Sequence, residues 1–262
     1  MALLIFAGTM LAQAGAPAPT QASPDPSAQK AKAILDQMVQ ALGGQSWLTY
    51  QDFEQEGRTY SFYHGEPNSA GILYWRFWKF PDKDRYELTK QRDVVYVYNG
   101  DHGYELTYKG TAAMDKDQLA DALRRQHHGL EVVIRQWLHA PGTALFYDGP
   151  AIAEQKPTDS VTIMNSANDA VTLFVDSNTH LPVKKSFSWR DPQYRELINE
   201  SETYDNYRPV QGIMTPYTVL RYRGKEITNQ RFISSMKYNT GVPDAKFQAT
   251  VNYDPNKPKR KK

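Results

Sequence analysis

Few residues in this sequence have the types and spacing that chemistry needs. His127-His128 with Glu131 is the one histidine–glutamate cluster. A zinc-protease helix sets two histidines one turn apart around a glutamate, and this spacing does not fit. Adjacent histidines on a helix also point in different directions, so no metal site is expected. Glu54 and Glu56 share one face of a strand and could form a carboxylate pair, but a solvated strand face accounts for them. Ser, His and Asp all occur, yet no serine stands in a glycine-flanked elbow, and there is no glycine-rich phosphate loop. The chain has no cysteine, which excludes disulfides, thiol catalysis and cysteine metal sites. Asn199-Glu200-Ser201 matches a glycosylation acceptor, which counts only in a eukaryotic secretory route. Basic and aromatic residues alternate in Tyr74-Trp75-Arg76-Phe77-Trp78-Lys79, a pattern able to stack bases or sugars. A strand of one large curved sheet explains that run more simply. The expectation is a non-enzymatic protein with no cofactor, and an unrecognised hydrolase stands beside it as an alternative.

The wider composition points the same way. A net charge of +2 over 262 residues gives no general attraction to nucleic acid. Seventeen tyrosines and five tryptophans suit half-exposed sheets and apolar grooves, because their rings are large and amphipathic. Ala2 to Leu11 has the length of a signal-peptide apolar region, too short to span a bilayer. Ala12-Gln13-Ala14 follows as a small-x-small cleavage site, although no Lys or Arg precedes the run. Residues 1–14 are therefore read as a cleavable signal, and the missing cysteine rules out a lipid-modified N-terminus. Residues 15–27 are rich in Ala, Pro and Ser and read as a linker. Residues 254–262 form a basic tail, expected to be disordered and solvated.

The elements between these ends are mostly strands. Asp25-Pro26 is a cap followed by a first-turn proline, and Ile34, Leu35, Met38, Val39 and Leu42 make the apolar stripe of a helix that Gly43-Gly44 stops. Strands are expected at Phe53–Tyr63, Gly71–Phe80, Arg85–Lys90, Asp93–Tyr98 and Tyr104–Tyr108. Met114–Ala140 is a helical interruption split near Gly129. Strands resume at Ala144–Tyr147 and Ser160–Met164. The clearest hairpin is Ala170–Arg190. Val171, Leu173 and Val175 alternate with Thr172 and Phe174, Asp176 to Thr179 turn the chain, and Val183, Lys185, Phe187 and Trp189 return. Strands at Tyr194–Tyr207, Met214–Arg223 and Glu226–Tyr238 complete the set.

Two local patterns carry a resemblance. Phe174-Val175-Asp176 followed by Leu181-Pro182-Val183 resembles a hairpin of periplasmic outer-membrane lipoprotein-sorting proteins, the LolA/LolB-like family. Tyr238-Asn239, then Val242-Pro243-Asp244 and Phe247, is similar to the C-terminal end of that family. The likeness covers residues 28–253, taken as one domain. It implies an α+β fold with a single large curved antiparallel sheet, an incomplete barrel whose concave face is covered by helices. It also implies a soluble periplasmic carrier that holds a lipid, or the acyl chains of a lipidated partner, in an apolar cavity. Transient membrane contact and an envelope protein partner belong to the same expectation, and the alternative within the fold is a regulatory domain binding that protein partner. On the aromatic strand, Arg76 interrupts one face. An unpaired buried guanidinium costs several kcal/mol, so the other face, Leu73, Trp75 and Phe77, is assigned to the cavity. Val171, Leu173, Val175, Leu119, Leu123, Ile134 and Trp137 complete the expected lining, with Arg76 outside or at the rim.

Overall fold

The computed structural model describes residues 25–255. The signal read at 1–14 and most of the basic tail lie outside those residues. The Asp25 carboxylate accepts from the Ser27 amide at 2.9 Å, and Pro26 opens helix α1, Pro26–Leu42. The helix thus starts inside the stretch read as linker. Ile34, Leu35, Met38 and Leu42 are buried on one side of it. Gly43 ends it at φ +128, where a Cβ would also strike the Gly212 carbonyl. A short helix α2, Gln45–Thr49, follows. The sequence pattern did not reveal it.

Seven strands come next: β1 (Asp52–Tyr63), a two-residue β2 (Glu66–Pro67), β3 (Ile72–Lys79), β4 (Lys83–Leu88), β5 (Val94–Asn99), β6 (His102–Thr107) and β7 (Gly110–Ala113). The helical interruption is α3 (Lys116–His127) and α4 (Leu130–Arg135), then a 3₁₀ turn at Trp137–His139. Gly129 separates the two helices as N-cap of α4. The remaining strands are β8 (Ala144–Ala153), β9 (Lys156–Met164), β10 (Ala170–Asp176), β11 (Pro182–Arg190), β12 (Leu197–Val210), β13 (Ile213–Arg223) and β14 (Glu226–Tyr238). Strands β8 and β9 run longer than expected because a bulge between Tyr147 and Gly149 breaks the alternation. Strand β12 starts late because the Asp191 carboxylate accepts from the Gln193 and Tyr194 amides and holds a turn there.

All strands pair antiparallel in one 14-stranded sheet that does not close into a barrel. Its order is β7-β6-β5-β4-β3-β1-β14-β13-β12-β11-β10-β9-β8, with β2 attached to β1. Within the sheet, the two halves of the chain therefore pair only along β1 and β14. The hairpin β10–β11 turns as read, with Asp176 Oδ1 accepting from the Asn178 and Thr179 amides at 2.8 and 2.9 Å. The main core joins α1, α2 and α4 to one face of the sheet. A second, smaller core lies on the other face. There Phe77, Val95 and Val97 are covered by Val242 and Phe247 of the C-terminal segment. That segment is fastened by Asp52, whose Oδ1 accepts from the Thr240 and Gly241 amides at 2.7 and 3.2 Å.

Candidate functional site

The inner face of the half-barrel encloses a cavity of about 730 Å³. Alternation on each strand decides which residues reach it. Strand β3 contributes Ile72, Tyr74, Arg76 and Trp78, β4 contributes Asp84 and Tyr86, and β12 contributes Glu200, Glu202 and Tyr204. Helix α3 lies along one side with Gln118, Asp121, Ala122, Arg125 and Gln126, positions that share one helical face. At one end the cavity is walled by Trp47, Tyr50, Phe53 and Trp78. Phe53 stacks on Trp78 with centroids 5.1 Å apart, and Tyr50 lies 4.7 Å from the Tyr238 ring. At the other end are Ser61, Ser69, Ile72 and Arg223, next to the hairpin turns.

This interior is charged as well as aromatic. Arg76 donates to both oxygens of Asp84 at 2.8 to 3.2 Å and sits 5.1 and 5.0 Å from the Phe53 and Tyr86 rings. Burial alone would lower its pKa, but Asp84 overcomes that and holds it raised. Further along, Lys185, Arg221 and Arg231 converge on Glu202 at 3.2, 3.1 and 3.7 Å. Burial pushes the Glu202 carboxyl up, yet the three cations win and keep it well below the usual carboxylate range. The Tyr204 hydroxyl donates to the same carboxylate at 3.1 Å. Burial raises the tyrosines around the cavity, Tyr74 to about 12, so they stay neutral donors at ordinary pH.

None of the ten residues expected at the cavity lines it. Trp75 and Phe77 point to the opposite face, where Phe77 is part of the second core and Trp75 packs against it. Leu73 shares their side of the alternation. The physical reason is twofold. Arg76 is not unpaired, because Asp84 on the neighbouring strand neutralises it. The outer face is also not solvated, because the C-terminal segment covers it and requires apolar contacts. Val171, Leu173 and Val175 are 0, 0 and 1% exposed and belong to the main core. Ile134 and Trp137 join the same core. Leu119 and Leu123 are half-buried on α3, and Leu119 packs close to Gly103.

The members of the histidine–glutamate cluster take separate partners, although both imidazoles also pack on the Trp137 ring. His127 reaches Asp169 at 3.4 Å. His128 stacks on Phe187 with planes 7° apart, and burial lowers its pKa. Glu131 accepts from the Tyr50 hydroxyl at 2.8 Å. Glu54 and Glu56 face away from the cavity, and Glu54 accepts from the Thr240 hydroxyl. The residues the sequence reading missed are Glu202, Lys185, Arg221 and Arg231. One signal was available. Lys185 interrupts the apolar row Val183, Phe187 and Trp189, and a lone cation in a buried row needs a partner.

No protein-family model matches the sequence, and no curated protein matches it. Solved structures do resemble it. A DUF1329 family protein from Desulfovibrio piger superposes with a TM-score of 0.59 at 14% identity, covering 83% of this chain and 97% of that one. A Vibrio parahaemolyticus domain described as an outer membrane lipoprotein-sorting protein gives 0.53 at 11%, covering 84% and 97%. A LolA superfamily protein from Nitrosomonas europaea gives 0.51 at 14%, covering 83% and 97%. The fold is LolA-like. This accounts for both local patterns read from the sequence. In the LolA-like frame, Asp176 builds the β10–β11 turn, and Val242 and Phe247 seal the outer face of β3 to β5.

Proposed function

We propose that this LolA-like protein is an envelope binding or carrier protein that holds an amphiphile in its cavity, either a lipid or the acyl chain of a lipidated partner. The observation that carries this reading is the cavity itself. Its volume of about 730 Å³ falls within the roughly 300–1,000 Å³ of small-molecule sites. Rings of Trp47, Tyr50, Phe53 and Trp78 offer an apolar wall to a chain, worth about 0.8 kcal/mol per buried CH₂. Tyrosine hydroxyls and paired charges suit a polar head. The likeness to a lipoprotein-sorting domain fits a periplasmic setting, as does the signal read at residues 1–14.

Ala122 on α3 faces the cavity and is half-buried, so Ala122→Trp should fill the space without disturbing the core. Native mass spectrometry of protein from a periplasmic extract should show a lipid-sized adduct that the Ala122→Trp protein lacks. An apolar fluorescent probe should bind the parent protein and lose on the order of tenfold or more affinity for the variant. No adduct, together with equal probe binding by both proteins, would sink the reading. A peptide-sized adduct would point to a protein partner instead.

A further inference from the structure

The charges around the cavity are not balanced along its length. Arg76 and Asp84 neutralise each other. On the wall formed by α3 and β11 to β14 the count differs. Among the described residues, Arg124, Arg125, Lys185, Arg221, Arg223 and Arg231 face three carboxylates, those of Asp121, Glu200 and Glu202. Those carboxylates already have close partners. Asp121 takes a 2.6 Å bond from Arg124. Glu200 accepts from the Trp189 indole at 2.9 Å. Glu202 is shared among three cations. Two guanidiniums are left without a hydrogen bond among the described residues. Arg125 approaches Glu200 and Asp121 only to 3.9 and 4.0 Å, and Arg223 approaches Asp121 only to 3.9 Å. Both reach toward the same Asp121 oxygen, so they lie close to each other. Arg221, beside them, crowds Arg125 enough that burial and this like charge lower the Arg125 pKa. Like charges gathered in a partly desolvated wall repel, and an anion placed among them removes that repulsion. Guanidinium forks bind phosphate and carboxylate oxygens in pairs.

We propose that the cavity ligand is an anionic amphiphile whose phosphate or carboxylate head is held by Arg125, Arg221 and Arg223. Its chain then follows the tyrosines toward the ring-lined end at Trp47 and Trp78. This assignment rests on the binding reading above and adds the class of head group to it. Asp121 is the competing carboxylate at the same guanidiniums, and it tunes how tightly the head is held.

The full-length chain separates these ideas by calorimetric titration. The probes are dodecyl phosphate, dodecanoate, neutral dodecyl maltoside and inorganic phosphate, each kept below its micelle concentration where it has one. Dodecyl phosphate or dodecanoate should bind on the order of tenfold or more tighter than the maltoside. The paired change Arg125→Gln with Arg223→Gln should erase that preference, weakening the anionic probes on the order of tenfold or more and the maltoside far less. Arg125→Lys with Arg223→Lys should keep most of it, and Asp121→Asn should tighten the anionic probes alone. Equal affinity for anionic and neutral probes overturns the head-group assignment while the binding reading stands. Inorganic phosphate binding as tightly as dodecyl phosphate overturns the amphiphile and leaves a free anion. No binding of any probe overturns both.

Discussion

Arg76 and Glu202 show what a single charged residue does inside this half-barrel. Each is half-buried, and each is kept charged by partners on adjacent strands. For Glu202 the folded carboxyl titrates well below its ordinary value of 4.5. The native state therefore binds fewer protons than the unfolded chain in the interval between the two values. The stabilisation is fully present above about pH 4.5 and is lost as pH falls through the depressed folded value. Glu202→Gln leaves Lys185, only 3% exposed, and two arginines without their counter-ion. The expected cost at neutral pH is on the order of 3–5 kcal/mol. Urea midpoints of both proteins measured from pH 7 down to about pH 3 should differ most at the neutral end and converge in acid. A gap that stays constant would show that Glu202 is not held ionised. His128 contributes in the same direction at higher pH. Burial lowers its pKa, so as pH drops below 6.5 the unfolded chain binds a proton at this ring that the folded protein does not, and stability falls.

At the scale of elements, the seam between β1 and β14 and the C-terminal segment carry the architecture. The seam contains a bulge at Glu56/Gly57. A Cβ at Gly57 would come 2.2 Å from the Phe232 carbonyl and 2.9 Å from the Tyr74 ring. Backbone sits on one side and a buried ring on the other, so neither can give way cheaply. Gly57→Ala should cost roughly 1–3 kcal/mol or more, read as a lowered denaturation midpoint. The C-terminal segment acts through Phe247, which is fully buried against Phe77 and Val97. Phe247→Ala should cost about 3–5 kcal/mol. Because the second core lies on the face opposite the cavity, the Phe247→Ala protein that remains folded should bind an apolar probe as well as the parent. A parallel loss of probe affinity would mean that the two faces are coupled.

At the scale of the whole molecule, the sheet is an open surface whose first and last strands in sequence are neighbours in space. Gln51 and Asn239, 188 residues apart, are hydrogen bonded at the seam. Such long-range pairing must close a large loop before it is rewarded, which slows folding. Refolding is expected in the range of milliseconds to seconds or slower. The same topology makes β14 indispensable. A chain ending after Lys225 lacks the strand that joins the halves and should lose the cooperative unfolding transition of the full chain, seen by circular dichroism against urea. A truncated chain that still unfolds cooperatively would show that the halves do not depend on the seam. One sheet edge is protected as well, since the Asn252 side chain accepts from the Thr111 amide of β7, and the Asn252 and Tyr253 amides donate back to the Thr111 carbonyl. This occupies an edge otherwise open to pairing with another chain.

Local rules were enough for the elements themselves. The cap at Asp25-Pro26, the glycine stop at Gly43, the split at Gly129 and the alternation at Val171, Leu173 and Val175 each depend on residues within a few positions of one another. They were legible for that reason, as were the Asp176 turn and the Val242–Phe247 ending that carry the family likeness. Short pieces such as α2 escaped, because five residues hold too little periodicity. The inside and outside of β3 could not be read from β3. Alternation says which residues share a face but not which face is inside. That was decided by Asp84 on the next strand, which makes Arg76 affordable in the interior, and by Val242 and Phe247 far along the chain, which bury Phe77 on the exterior. The cation wall was hidden for the same reason. Its cations come from α3, β11, β13 and β14, and only the curvature of the sheet brings Lys185, Arg221 and Arg231 to one carboxylate on β12.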